Sequence, residues 1–129
     1  MVIQTNLHGG KGFVWGDGFA IRRDVIVPSG LTVTKAYLTV KTNQTDNDGS
    51  ALFQKSITTT NTAGTGQIED AGSSGTAVLR FDITSTNSQA PAKDTLVYFS
   101  LRVIYSDGTD ITLENGQTSF MSSTTGAVS

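Results

Sequence analysis

Cysteine is absent, so the chain has neither disulfides nor thiolate metal ligands. Proline occurs only 2 times and histidine 1 time in 129 residues. Every mechanism that needs imidazole as acid, base or ligand must therefore use His8. Long apolar runs are missing too. Nothing approaches the roughly 18 consecutive apolar residues of a membrane-spanning helix, and MVIQTNLHGGKG lacks the basic and apolar regions of a signal peptide. The expectation is a soluble chain not exported by the general secretory route. Neither sign of charge dominates, with 9 Lys and Arg against 11 Asp and Glu. That balance provides no electrostatic footprint for a nucleic-acid backbone or an anionic membrane, so neither is expected as a partner.

Hydroxyl residues and glycine are plentiful: 20 Thr, 13 Ser and 14 Gly. A chain of this length is expected to form one domain and to bury roughly two-thirds of its unfolded surface, enough for a core without staples. Good helix formers are sparse, and no window repeats apolar residues at i, i+3, i+4 and i+7. Period-two alternation is everywhere. In Lys35 to Thr42, Ala36, Leu38 and Val40 share one face, while Tyr37, Thr39 and Lys41 share the other. Thr76 to Thr84 repeats this with Ala77, Leu79, Phe81 and Ile83, leaving Arg80 and Asp82 in water. Thr95 to Ser106 places Val97, Phe99, Leu101, Val103 and Tyr105 together and ends at Asp107-Gly108, a dipeptide suited to a hairpin turn. Alternation resumes at Ile111 and Leu113, and Glu114 to Gln117 reads as a second hairpin turn before Ser119-Phe120. Phe19 to Val27 and Ala51 to Thr58 are weaker strands. About seven or eight short strands separated by polar turns are the pattern of a β-sandwich.

The termini differ from the middle. Residues 1–18 combine glycines with the apolar anchors Val2, Ile3, Leu7, Phe13, Val14 and Trp15. They read as an extended arm that docks on a neighbouring subunit, since a solvated linker would carry few such side chains. The competing reading makes Phe13 to Trp15 the first strand of the chain's own sandwich. Residues 122–129, SSTTGAVS, read as a flexible tail.

Catalytic and ligand-binding motifs fail on spacing. His8 sits in a Gly-rich segment, a poor support for a catalytic group, and reads as an exposed or interface histidine. Gly9-Gly10-Lys11-Gly12 lacks the four intervening residues and the Ser or Thr of a phosphate loop. With Gly49 at the sixth position of a calcium loop, the twelfth is Lys55 where a carboxylate ligand belongs, so Asp46 and Asp48 read as an ordinary Asx-rich loop. Asp24 and Asp82 are the only acids inside the expected strands, and neighbouring Arg23 and Arg80 are expected to pair with them. No enzymatic activity, metal or cofactor is expected. Val78, Leu96, Tyr98, Ile104 and Tyr37 fall on the faces opposite the core, more large apolar side chains than a solvated face carries. They form a protein interface, or else a β-bulge or a terminal arm hides them within the monomer.

Gly16-Asp17-Gly18 precedes FAIRRDVIVP; KAYLTVKT, an acidic loop, ALFQKSI, GTAVLRFDIT and YFSLRVIYSDGTDITLENGQTSF follow in that order. Across residues 16–121 this succession resembles small bacteriophage virion proteins built on the N-terminal domain of siphophage baseplate upper proteins, an Ig-like β-sandwich. The resemblance implies one Ig-like antiparallel β-sandwich; with the composition of the two ends, the expectation is an all-β fold with extended N- and C-terminal arms, divided as arm 1–18, sandwich 19–121 and tail 122–129. It implies no catalytic residues. In larger proteins such a domain mounts a fibre or receptor-binding portion on the virion. With Ser129 close behind the last strand, the expected role is a small tail or baseplate component, or a capsid decoration protein. Such a protein would be assembled in the host cytoplasm, would contact other virion proteins and would form a homo-oligomer. The candidate interface comprises Val2, Ile3, Leu7, Phe13, Trp15, Tyr37, Val78, Leu96, Tyr98 and Ile104. The alternative function is a β-sandwich module that binds carbohydrate or another host-surface ligand through exposed aromatic planes.

Overall fold

Alternating apolar and polar side chains cannot all be satisfied by one sheet, because each strand then leaves an apolar face that needs cover. A computed structural model describing residues 3–6, 13–45 and 48–121 shows how the cover is arranged. The strands are β1 (Ile3–Asn6), β2 (Phe13–Val14), β3 (Phe19–Ile26), β4 (Val33–Lys41), β5 (Phe53–Ile57), β6 (Gly66–Asp70), β7 (Thr76–Ile83), β8 (Leu96–Tyr105) and β9 (Asp110–Met121). One sheet runs β1-β9-β8-β4-β5, with β2 also on β9; the other runs β3-β7-β6. The hairpins β4–β5, β6–β7 and β8–β9 stay within a sheet, whereas the chain changes sheet after β2, β3, β5 and β7. This is the immunoglobulin arrangement, in which three strands ordered B-E-D face a sheet ordered G-F-C with an added edge strand.

The core follows the alternation. Leu38, Val40, Leu79, Phe81, Phe99, Leu101 and Val103 are all buried in a single cluster. Gly108 has φ +88° in the β8–β9 turn, and the Asp107 carboxylate accepts from Thr109 N at 2.9 Å. Between β7 and β8 lies a single-turn helix, α1 (Ser85–Ser88). Thr84 caps it, accepting from Asn87 N at 3.2 Å while its own N–H donates to Asn87 Oδ1 at 3.0 Å.

Three expectations are corrected. The first concerns the turn at Glu114 to Gln117. Here β9 continues unbroken to Met121, and Gly116 has no positive φ, as a tight primed turn would need. The register against β8 slips between Leu101 and Arg102, with Leu113 as the extra residue. Such a bulge changes which alternate residues face inward. Beyond it Gly116, Thr118 and Phe120 are buried, out of phase with Ile111.

The second correction concerns the N-terminal arm. β1 and β2 pair in parallel with β9 of the same chain, Ile3 opposite Glu114 and Phe13 opposite Phe120. Phe13 is 5% exposed, stacked on Phe19 with ring centroids 4.4 Å apart and 5.5 Å from Phe120. Burial of this large apolar surface within the domain outweighs the adaptability of the surrounding glycines. Phe13 is therefore not an anchor for a neighbouring subunit. Trp15 closes the same end, half-buried against the core, its indole Nε1 donating to Pro91 O at 2.9 Å with Lys93 Nζ 4.3 Å from the ring centroid.

The third concerns charge. Arg80 does pair with Asp82, at 3.1 Å. Arg23, however, occupies an inward position between Ile21 and Val25 and reaches Glu114 on the opposing sheet at 3.1 Å, not Asp24. A guanidinium at an inward position near an edge is held by the nearest carboxylate that shares its side of the sandwich.

Candidate interaction surface

The outward faces of the two sheets differ in chemistry. On the small sheet Glu69 accepts from Arg22 Nε at 2.9 Å and from Arg80 Nη1 at 3.0 Å, and Arg80 Nη2 also donates to Asn61 Oδ1 at 2.5 Å. The hydrogen bond from Arg22, with the nearby charge of Arg80, holds the Glu69 carboxyl below its ordinary pKa. This ladder of opposite charges makes a solvated face. Val78 stands on it, directly opposite Asp24 of β3 and Asp70 of β6.

Tyr37, Leu96, Tyr98 and Ile104 face outward on the large sheet. The sandwich thus separates Val78 from them, because β7 and β8 are consecutive in sequence but lie in different sheets. The expected single patch of five residues does not form.

Within the large sheet, pairing arranges the remaining four in rows. Tyr98 lies between Lys41 and Gln117; Ser100 lies between Thr39 and Asn115; Arg102 pairs Tyr37; Ile104 pairs Lys35 and Asp110. Two apolar groups result, separated by the hydroxyl and amide row. At one end Leu96 is 52% exposed next to Tyr98, and Met121 at 41% follows Ser119, the cross-strand partner of Leu96. At the other end Tyr37 is flanked by cations, with Lys35 Nζ 5.3 Å and Arg102 Cζ 5.7 Å from its ring centroid. Arg102 is also paired with Asp110 at 2.6 Å. Thr39, although outward, is buried and accepts from Gln54 Nε2 at 2.8 Å.

Chemically, this face offers aromatic and aliphatic contact area beside amide, hydroxyl and ammonium donors. That is the composition of a recognition surface. The Lys35–Tyr37 neighbourhood was visible in sequence as an i, i+2 pair on one strand. The Arg102 and Met121 contributions were not, since they depend on which strands pair and on the bulge in β9.

Among the other candidates, Val2, Leu7, His8, the Gly9 to Gly12 segment and Asp46 lie outside the described residues, as does the 122–129 tail. Ile3 is placed by its backbone alone, in β1, and Asp48 by its backbone at the start of a 3-10 turn. Among the described residues no three His, Asp or Glu side chains group as metal ligands. No protein-family model, curated protein or solved structure matches this chain.

Proposed function

We propose that the chain is a non-enzymatic structural protein of a bacteriophage virion, attached through protein contacts to the tail or baseplate or to capsid subunits. The observation that carries the reading is the outward end of β8 and β9, where Leu96, Tyr98 and Met121 present apolar area on one sheet face. The order of strand and turn segments, which resembles virion mounting domains, supplies the setting. Such contacts are repeated by symmetry in a virion, so a modest interface per copy holds many copies. The test is incorporation into particles: tagged wild-type chain should co-purify with intact virions, and Leu96→Asp with Tyr98→Ser should be excluded while melting like wild type. Absence of the wild-type chain from purified particles refutes the proposal.

A carbohydrate- or host-surface-binding module is the second reading. It is favoured by Tyr98 lying between Lys41 and Gln117 on the same face. Glycan-array binding that is lost in Tyr98→Ala and Tyr37→Ala would select it.

A further inference from the structure

The sandwich protects its edges unequally. β6 has five residues and a bulge between Ile68 and Asp70. β5 also has five residues and turns Lys55 inward, 8% exposed, with Nζ donating to Gly64 O at 2.7 Å. Short strands, bulges and inward charges are the devices that stop a sheet from adding another strand. β3 shares only the inward charge, in Arg23, and is neither short nor bulged. Its eight residues pair with β7 without a register break, and among the described residues it ends the small sheet.

The ladder shows which backbone groups face the open side. Val27 N donates to Gly75 O at 2.9 Å, so in this antiparallel pair the odd-numbered residues of β3 bond to β7. Ala20, Arg22, Asp24 and Ile26 then direct their N–H and C=O groups outward from the sheet edge. Consistently, Arg22 O accepts a 3.1 Å bond from Arg23 Nη1. The side chains of these same four residues share the solvent face. There Ile26 is 86% exposed, and Asp24 has no hydrogen-bond or ionic partner among the described residues.

We propose that β3 is a self-association edge, pairing antiparallel with β3 of a second copy about a two-fold axis at Arg23. In that register Arg22 stands opposite Asp24 of the second copy, and Asp24 opposite its Arg22. Ile26 lies opposite Ala20 of the second copy, and the reverse, so the most exposed apolar side chain meets a small one. Sliding the pairing by two residues either way puts Arg22 against Arg22 or Asp24 against Asp24, so charge selects one register. Arg22 already holds Glu69 through Nε, and its Nη1 remains for a second carboxylate. The two Arg23 side chains meet at the axis, but each turns inward to its own Glu114. The outward-facing charges of this edge, Arg22 and Asp24, are thus complementary to themselves. The inference concerns the sheet opposite the Leu96–Tyr98 face and holds whether or not the virion reading does.

Sedimentation of the full chain tests it through charge reversal. Wild type should show a concentration-dependent dimer. Arg22→Asp alone and Asp24→Arg alone should each weaken it on the order of tenfold or more, because both symmetry-related pairs become repulsive. The double variant should restore self-association. An equimolar mixture of the two single variants should form a heterodimer, since one then presents two cations and the other two anions. At concentrations where wild type is monomeric, circular-dichroism melts should stay at the wild-type temperature for Asp24→Arg, whose native side chain has no partner to lose among the described residues. A wild type that remains monomeric up to millimolar concentration, a dimer indifferent to Asp24→Arg, or single variants that do not associate when mixed would each overturn the proposal.

Discussion

Phe13→Ala is the substitution that most directly separates a domain whose N-terminal segment belongs to its own core from one that extends an arm to a neighbour. Phe13 is 5% exposed, stacked on Phe19 at 4.4 Å and tilted against Phe120 at 5.5 Å. Truncation removes on the order of 100 Å² of buried apolar surface, about 2.5 kcal/mol at 25 cal/mol per Å². Loss of the stacked partner adds about 1 kcal/mol. The sum, about 3–4 kcal/mol, lies within the range for Phe→Ala in a core. For a domain of this size each kcal/mol moves the Tm by about 3–5 °C, so a fall of roughly 10–15 °C is expected. The assay is thermal unfolding of the isolated full chain followed by circular dichroism, with Phe13→Leu as a control that keeps most of the volume and should lose much less. A Tm for Phe13→Ala within a degree or two of wild type would refute the placement, because an arm that docks only on another subunit has no effect on the melting of a lone domain.

Three other outcomes follow from the same geometry. Gly66→Ala should cost about 3 kcal/mol or more in chemical denaturation, because Gly66 has φ +129° and an added Cβ would overlap Arg80 O; a neutral result would show that β6 is not seated as described. Hydrogen bonds from Arg22 and Arg80 to Glu69, and from Thr109 N to Asp107, depress both folded-state carboxyl pKa values. Their stabilisation is present above the unfolded carboxylate pKa and is lost as pH falls through the lower folded values, so acid titration should destabilise wild type more steeply than Glu69→Gln. Lys55→Met removes an ammonium whose pKa is pushed down by burial. The monomer should melt at the same or a higher temperature while light scattering shows more association through the unguarded β5 edge, and unchanged association would refute the protective role of Lys55.

The faces of β4, β7 and β8 were legible because alternation is local. Leu38, Phe81 and Phe99 point inward in any sandwich built from these strands, and the turn at Asp107-Gly108 needs only its own four residues. By the same token Tyr37, Tyr98 and Ile104 could be assigned to outward faces before any strand was paired. The candidate surface was only half legible, since alternation says that Val78 and Tyr98 both face out without saying that they face out on opposite sides of the molecule.

What the sequence determined by itself is the two-faced character of each strand, set by the pleat, which sends successive side chains to opposite sides whatever the neighbours are. Tertiary structure alone decided which strands share a sheet and how the phase runs along β9. One extra residue at Leu113 places Gly116 across from Phe99 and turns an Asn-Gly pair from an expected turn into the middle of a strand. It also decided the fate of the first strands and of Arg23. A parallel partner for Phe13 and a carboxylate for Arg23 come from residues 107 and 91 positions away, brought near by the packing of two sheets, and no local pattern encodes a contact of that range.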